Sequence, residues 1–166
     1  MTSASSEQPA ADDAAAIVVS RRIEAPRRLV FEAYTDVRHL AQWWGPNGFT
    51  TTTQSFEFRA GGLWIFVMHG PDGTDYPSRI AWREIVPPER IVYVHGSWPD
   101  DPDQFVSTVT FVEHAAATDV TMRAVFRSKE RRDFVAERYH AVEGGRQTLG
   151  RLSAYLAEYL AAQKKG

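Results

Sequence analysis

Two hydrophobic periods divide the chain. From Ile17 to Phe126 apolar positions come in short runs that mostly alternate with polar ones. Beyond Lys129 they recur at spacings of three and four. The first period is that of half-buried strands and the second that of an amphipathic helix. Ile17–Glu24 is β-branched and ends at Ala25-Pro26, so it reads as a first strand. Arg27–Tyr34 and Val37–Trp44 have helical spacing. Thr35 or Asp36 is placed to cap the second helix, and Gly45-Pro46-Asn47-Gly48 to stop it. The runs Thr50–Phe58, Leu63–His69, Tyr76–Val86, Ile91–Ser97, Phe105–Glu113 and Asp119–Phe126 read as further strands. Their short, Gly- and Pro-rich links require antiparallel neighbours. Leu149, Leu152, Leu156, Tyr159 and Leu160 form the helical stripe, and Gly144-Gly145 predicts a kink or a helix start. One apolar helix face and one apolar sheet face must bury each other. The pattern therefore predicts an α+β fold: a seven-stranded antiparallel sheet wrapped around a long C-terminal helix, with two short helices after the first strand.

Composition narrows the class. A chain of 166 residues with 43% hydrophobic content is sized for one globular domain. Its expected limits are 15–162, after a polar, Ala-rich tail at 1–14 that cannot bury enough apolar surface to order itself. Nineteen Lys and Arg against twenty-one Asp and Glu leave a net charge of −2, which offers nothing to nucleic acid. With zero Cys, a disulfide scaffold, a zinc-thiolate site and a cysteine nucleophile are excluded. No run approaches the length of a membrane span, and the start lacks the basic and apolar regions of a signal peptide. A cytoplasmic protein is the expectation.

Five Trp, six Tyr and nine Phe are a heavy aromatic load for this length. Trp64, Phe66 and Met68 share one strand face. Ile80 with Trp82, Tyr93 with His95, Val109 with Phe111, and Met122 with Phe126 extend it. Such a stripe serves either a solid core or the lining of a hollow one. Buried indole and phenol groups need polar partners, and that favours a partly hollow interior. In Trp43-Trp44-Gly45-Pro46, adjacent helical residues cannot face the same way. One indole is expected to plug the core and the other to guard a cavity mouth, or both to anchor the loop. His39, His69, His95, His114 and His140 show no metal-binding spacing, so no metal is expected. Acid–base candidates are His95, Glu57, Asp75, Arg79 and Tyr139, with Arg79 expected on the outer face. The chain contains no GxSxG, GxGxxG or Walker sequence. Glu130-Arg131-Arg132-Asp133 reads as a solvated helix face.

Several segments, in order, resemble one family. They are Arg22-Ile23-Glu24-Ala25-Pro26 with Val30-Phe31; Leu40-Ala41-Gln42-Trp43-Trp44-Gly45-Pro46; Phe58-Arg59-Ala60-Gly61-Gly62 with Trp64; Met68 through Gly73; Pro87 through Val92; and Leu149 through Leu160. Spread over 17–160, they are similar to the Hsp90 ATPase activator homologues within the START-like, or Bet v 1-like (SRPBCC), helix-grip superfamily. The resemblance implies a hydrophobic cavity between sheet and helix that holds a small hydrophobic, lipid-like or aromatic ligand without a cofactor. The implied lining is Trp44, Trp64, Phe66, Met68, Ile80, Trp82, Tyr93, His95, Val109, Phe111, Met122, Phe126, Tyr139 and Leu149. Alternatives are a polyketide cyclase or aromatase working in the same cavity, with His95 as its catalytic candidate, and a protein that stimulates an Hsp90-type chaperone ATPase. A chaperone partner and a homodimer are both compatible with the family. One departure is that Gly144-Gly145 stands where the family usually has Gly-Trp, which bears on how that end of the cavity is filled.

Overall fold

The computed structural model describes residues 13–165. The elements run β1 (Ala16–Ile23), α1 (Arg27–Glu32), α2 (Val37–Trp43), β2 (Thr50–Phe56), β3 (Leu63–His69), β4 (Asp75–Val86), β5 (Arg90–Gly96), β6 (Phe105–His114), β7 (Ala117–Val125), α3 (Lys129–Arg138) and α4 (Ala141–Lys165). Seven strands form one antiparallel sheet in the order β1-β7-β6-β5-β4-β3-β2. Strands β2 to β7 are a meander of hairpins. The link from β1 to β2 cannot be a hairpin, because these strands are the two edges of the sheet. Helices α1 and α2 carry the chain between them. The helix-grip arrangement expected from the pattern is thus the observed one.

Local chemistry explains the boundaries. Pro26 precedes α1 with φ −63°, where a missing N–H costs nothing. Asp36 caps α2 by accepting from the Arg38 N–H at 2.8 Å. The Arg38 guanidinium, and after it that backbone bond, hold its carboxyl down to about 2. Between β2 and β3 the chain turns so tightly that a Cβ on Gly62 would lie 2.2 Å from the Glu57 carbonyl oxygen, so only glycine fits.

The core lies between the concave sheet face and α4. Leu149, Leu152 and Leu156 are almost fully buried there, each contributing roughly 1.5–3 kcal/mol. The final helical region differs from the expectation in one respect. The break falls at His140, whose φ is 52°, and Gly144-Gly145 lies inside α4. The reason is packing. A Cβ on Gly145 would stand 2.9 Å from Val19 Cγ2, so glycine lets the helix backbone lie directly on β1. Of the tail expected at 1–14, residues 1–12 lie outside the described residues, while Asp13 is paired with Arg123 at 2.8 Å. Among the described residues no helix is long and apolar enough to cross a membrane.

Candidate ligand cavity

The inward stripe divides into a filled part and an open part. In the filled part Trp64 stacks on Phe66 with ring centroids 3.8 Å apart. Trp44 meets Trp64 edge-on at 5.0 Å, Phe58 meets Trp82 at 4.8 Å, and Trp82 meets Tyr93 at 5.5 Å. Ile80, Val109, Phe111 and Leu149 are sealed within the same cluster, and Met122 packs against it. Ten of the expected lining residues therefore sit in packed core: Trp44, Trp64, Phe66, Ile80, Trp82, Tyr93, Val109, Phe111, Met122 and Leu149. These rings pack on one another as part of one buried cluster. Neither tryptophan of the Trp43-Trp44 pair guards a mouth. Trp43 is wholly buried, its indole donating to the Ala33 carbonyl at 3.1 Å, and Trp44 closes over Trp64 and Phe66. Burial moves the Tyr93 phenol up to about 12, against a hydrogen bond with Ser107.

The open part lies where β3, β4, β5 and β6 approach α3 and the start of α4. It encloses a cavity of about 800 Å³, within the range of small-molecule sites. Four of the expected residues line it: Met68, His95, Phe126 and Tyr139. Sequence reasoning missed most of the rest. Phe49, Tyr76 and Phe105 join the wall, and Trp98, Asp101 and Asp103 come from the β5–β6 loop. Arg131, Phe134 and Val135 descend from α3, and Gly144 and Gln147 from α4. Trp98 had a visible signal, being a tryptophan in an otherwise acidic, Pro-rich loop. Arg131 corrects the solvated-face reading of α3, since its guanidinium reaches Asp103 at 3.0 Å and bridges that helix to the loop across the mouth.

The rim is unusual in what it leaves exposed. Trp98 is 56% and Tyr139 58% exposed, and Phe134 and Tyr76 are also well exposed. Only two other large apolar residues are this exposed among the described residues, Val18 and Val112. Exposed aromatics gathered about one opening mark a binding site rather than random surface.

His95 joins the two parts. Its ring lies 5.9 Å from Phe66 and 5.1 Å from Phe105, with its other side on the cavity. Burial lowers its pKa to about 4, although the nearby Asp101 charge opposes this. The imidazole is therefore neutral near pH 7, and neither nitrogen has a hydrogen-bond partner among the described residues. It offers one donor and one acceptor to whatever enters. Of the other acid–base candidates Tyr139 stands on the cavity rim, and the remaining three lie elsewhere. Asp75 pairs with His69 at 2.7 Å and Glu57 with Arg59 at 3.7 Å, both in exposed positions. Arg79 alternates with the inward Ser78 and Ile80, which puts it on the outer face.

One half-buried cation braces the loop at the cavity edge. Arg151 of α4 donates to the carbonyls of Trp44, Gly45 and Pro46, each at 3.0 Å. The Gln147 side chain accepts from the Asn47 N–H at 3.1 Å. Together they pin the α2–β2 loop, whose Pro46 forms the cavity edge opposite Gly144. At Gly145 the helix backbone lies against Val19, where a Cβ would stand 2.9 Å from Cγ2, so no side chain from that position reaches this end.

A meander sheet gripping a terminal helix, open at one end, defines the helix-grip class. Matching at residues 24–157, the chain belongs to the family of activator of Hsp90 ATPase homolog 1-like proteins. It is similar to a solution structure of a protein from Arthrobacter aurescens, with 27% identity, a TM-score of 0.81, and 88% of each chain covered. A crystal structure of a protein from Nitrosomonas europaea aligns with a TM-score of 0.81 at 21% identity, over 90% of this chain and 99% of that one. The AHSA1 protein from Silicibacter pomeroyi aligns at 0.69 and 23%, over 87% and 99%. The last two support the fold alone. No curated protein matches the chain.

Proposed function

We propose that this chain binds a small aromatic molecule in the cavity at the open end of the sheet. The observation that carries the reading is the conjunction there of about 800 Å³ of space, a ring of exposed aromatics and the neutral, unpartnered His95. Ring burial would supply most of the affinity at roughly 25 cal/mol per Å² of apolar surface. The His95 nitrogens would orient a hydroxyl or carbonyl on the guest.

Calorimetric titration with 1-naphthalenemethanol tests this. The expected result is saturable binding in the micromolar range. Gly144→Phe, which places a ring in the cavity, should weaken it by at least about tenfold, and His95→Ala should weaken it severalfold. Absence of binding, or affinities untouched by both substitutions, would overturn the reading.

A cyclase using the same cavity is the second reading, favoured by the exposure of His95 to the space where a substrate would lie. Its low pKa makes the ring a weak base at neutral pH, so the carrier reading is preferred. Turnover of a poly-β-keto surrogate that disappears in His95→Gln would reverse that order. A chaperone-stimulating role belongs to the family's description. It predicts co-purification with an Hsp90-type ATPase that survives Gly144→Phe.

A further inference from the structure

The charges around the cavity do not balance. Its walls carry three carboxylates, Asp101, Asp103 and Glu143, and one guanidinium, Arg131. Arg131 is engaged by Asp103 at 3.0 Å. Glu143 leans on Arg146, a residue outside the cavity, at 3.8 Å. Asp101 is the charge left over. It is only 5% exposed, and its two oxygens accept the backbone N–H groups of Ser97 and Asp103, each at 2.9 Å. No Lys or Arg reaches it among the described residues. The neighbouring His95 is neutral at pH 7 and supplies no compensating charge. The N-terminus of α4 also opens on this space, but Glu143 in its first turn already answers the positive end of that helix.

The rim shows where cations settle on this surface. The Arg131 guanidinium lies 4.9 Å from the Phe134 ring centre and that of Arg138 5.9 Å from the Tyr139 ring. Both are cation–π distances. The faces of Tyr76 and Trp98 at the same mouth have no such partner among the described residues.

Resting on the reading of the cavity as an aromatic-ligand site, we infer that it takes aromatic amines or other organic cations and turns away carboxylates of the same skeleton. A carboxylate entering would shed water and meet a surplus negative charge with no free cation to pair with it. A protonated amine would have the Asp101 carboxylate as counter-ion and aromatic faces around it.

A matched trio separates charge from shape: 1-naphthylmethylamine, 1-naphthalenemethanol and 1-naphthylacetate, titrated into the full chain at pH 7.5 and low salt. The amine should bind at least about tenfold tighter than the carboxylate, with the alcohol between them. The gap should shrink in about 0.5 M salt, where exposed charges are screened. It should also shrink in Asp101→Asn and, by less, in Glu143→Gln, whose pairing with Arg146 at 3.8 Å is loose and offsets its charge only in part. The second variant is exposed enough to fold if the first does not. Equal affinities, a preference for the carboxylate, or a gap untouched in every folded variant would overturn this inference while leaving the cavity reading in place, since the alcohol would still bind. Failure of all three to bind would instead overturn the cavity reading.

Discussion

The two ends of the concave sheet face are built from the same kinds of residue and behave oppositely. At one end Trp64, Phe66, Trp82 and Tyr93 pack with Trp44 and with the leucines of α4 in one buried cluster, with ring centroids 3.8 to 6.4 Å apart. At the other end Phe105, Phe126, Met68 and Tyr76 face a helix, α3, that has no buried residue of its own. The difference comes from the covering element. Helix α4 presents Leu149, Leu152 and Leu156 at core spacing, whereas α3 offers Phe134 and Val135 among charges. Aromatic content alone does not make a cavity; an under-filled partner layer does.

The two ends should differ most in what their side chains contribute to stability. Trp64→Ala should cost about 3–5 kcal/mol in chemical denaturation, because the cluster cannot collapse into the space. Phe134→Ala at the rim should cost under about 0.5 kcal/mol while weakening naphthalenemethanol binding. A similar cost at both sites would show that the two ends are not different.

The junction is sharpened by pH. Unfolded, His95 takes a proton near its ordinary 6.5, and folded only near 4. Between those values the unfolded chain holds more protons, so stability is full above about 6.5 and falls on acidification toward 4, by up to about 3 kcal/mol. His95→Phe should flatten that part of the stability profile measured by urea unfolding. A profile unchanged by the substitution would mean that His95 is not held neutral.

Smaller effects separate the two adjacent glycines. Gly145→Ala should destabilise by about 1–2 kcal/mol, because its Cβ meets Val19 at 2.9 Å. Gly144→Ala finds only Pro46, at 3.4 Å, and should stabilise by about 0.5–1 kcal/mol through helix propensity. Thermal unfolding of the pair should give shifts of opposite sign. Smallest is the cap. Asp36→Ala should remove about 1 kcal/mol at pH 7, and the difference from wild type should close as pH falls from about 4 toward 2, where the wild-type carboxyl is itself protonated.

These elements also show what a sequence can and cannot display. Alternation assigned Trp64, Phe66 and Met68 to one face, and turn residues separated all seven strands. Both signals are local. Alternation says which way a side chain points, but not how much matter stands opposite it. Trp64 and Met68 were therefore indistinguishable until α2 was seen to cover the first and leave the second beside the cavity. Asp101, Arg131 and Phe134 carried no periodic signal, because loops and lightly packed helices are placed by long-range contacts such as Arg131–Asp103. The glycine pair misled for a related reason. A residue that breaks helices in isolation is retained inside α4 where backbone must touch Val19.

The tryptophans themselves supply the most direct test. In a nitrogen-15 spectrum of the indole N–H groups, saturating 1-naphthalenemethanol should move the Trp98 resonance and leave those of Trp43, Trp64 and Trp82 in place. Large shifts at Trp64 or Trp82 with Trp98 unmoved, or no shift at all, would contradict a binding site at the open end.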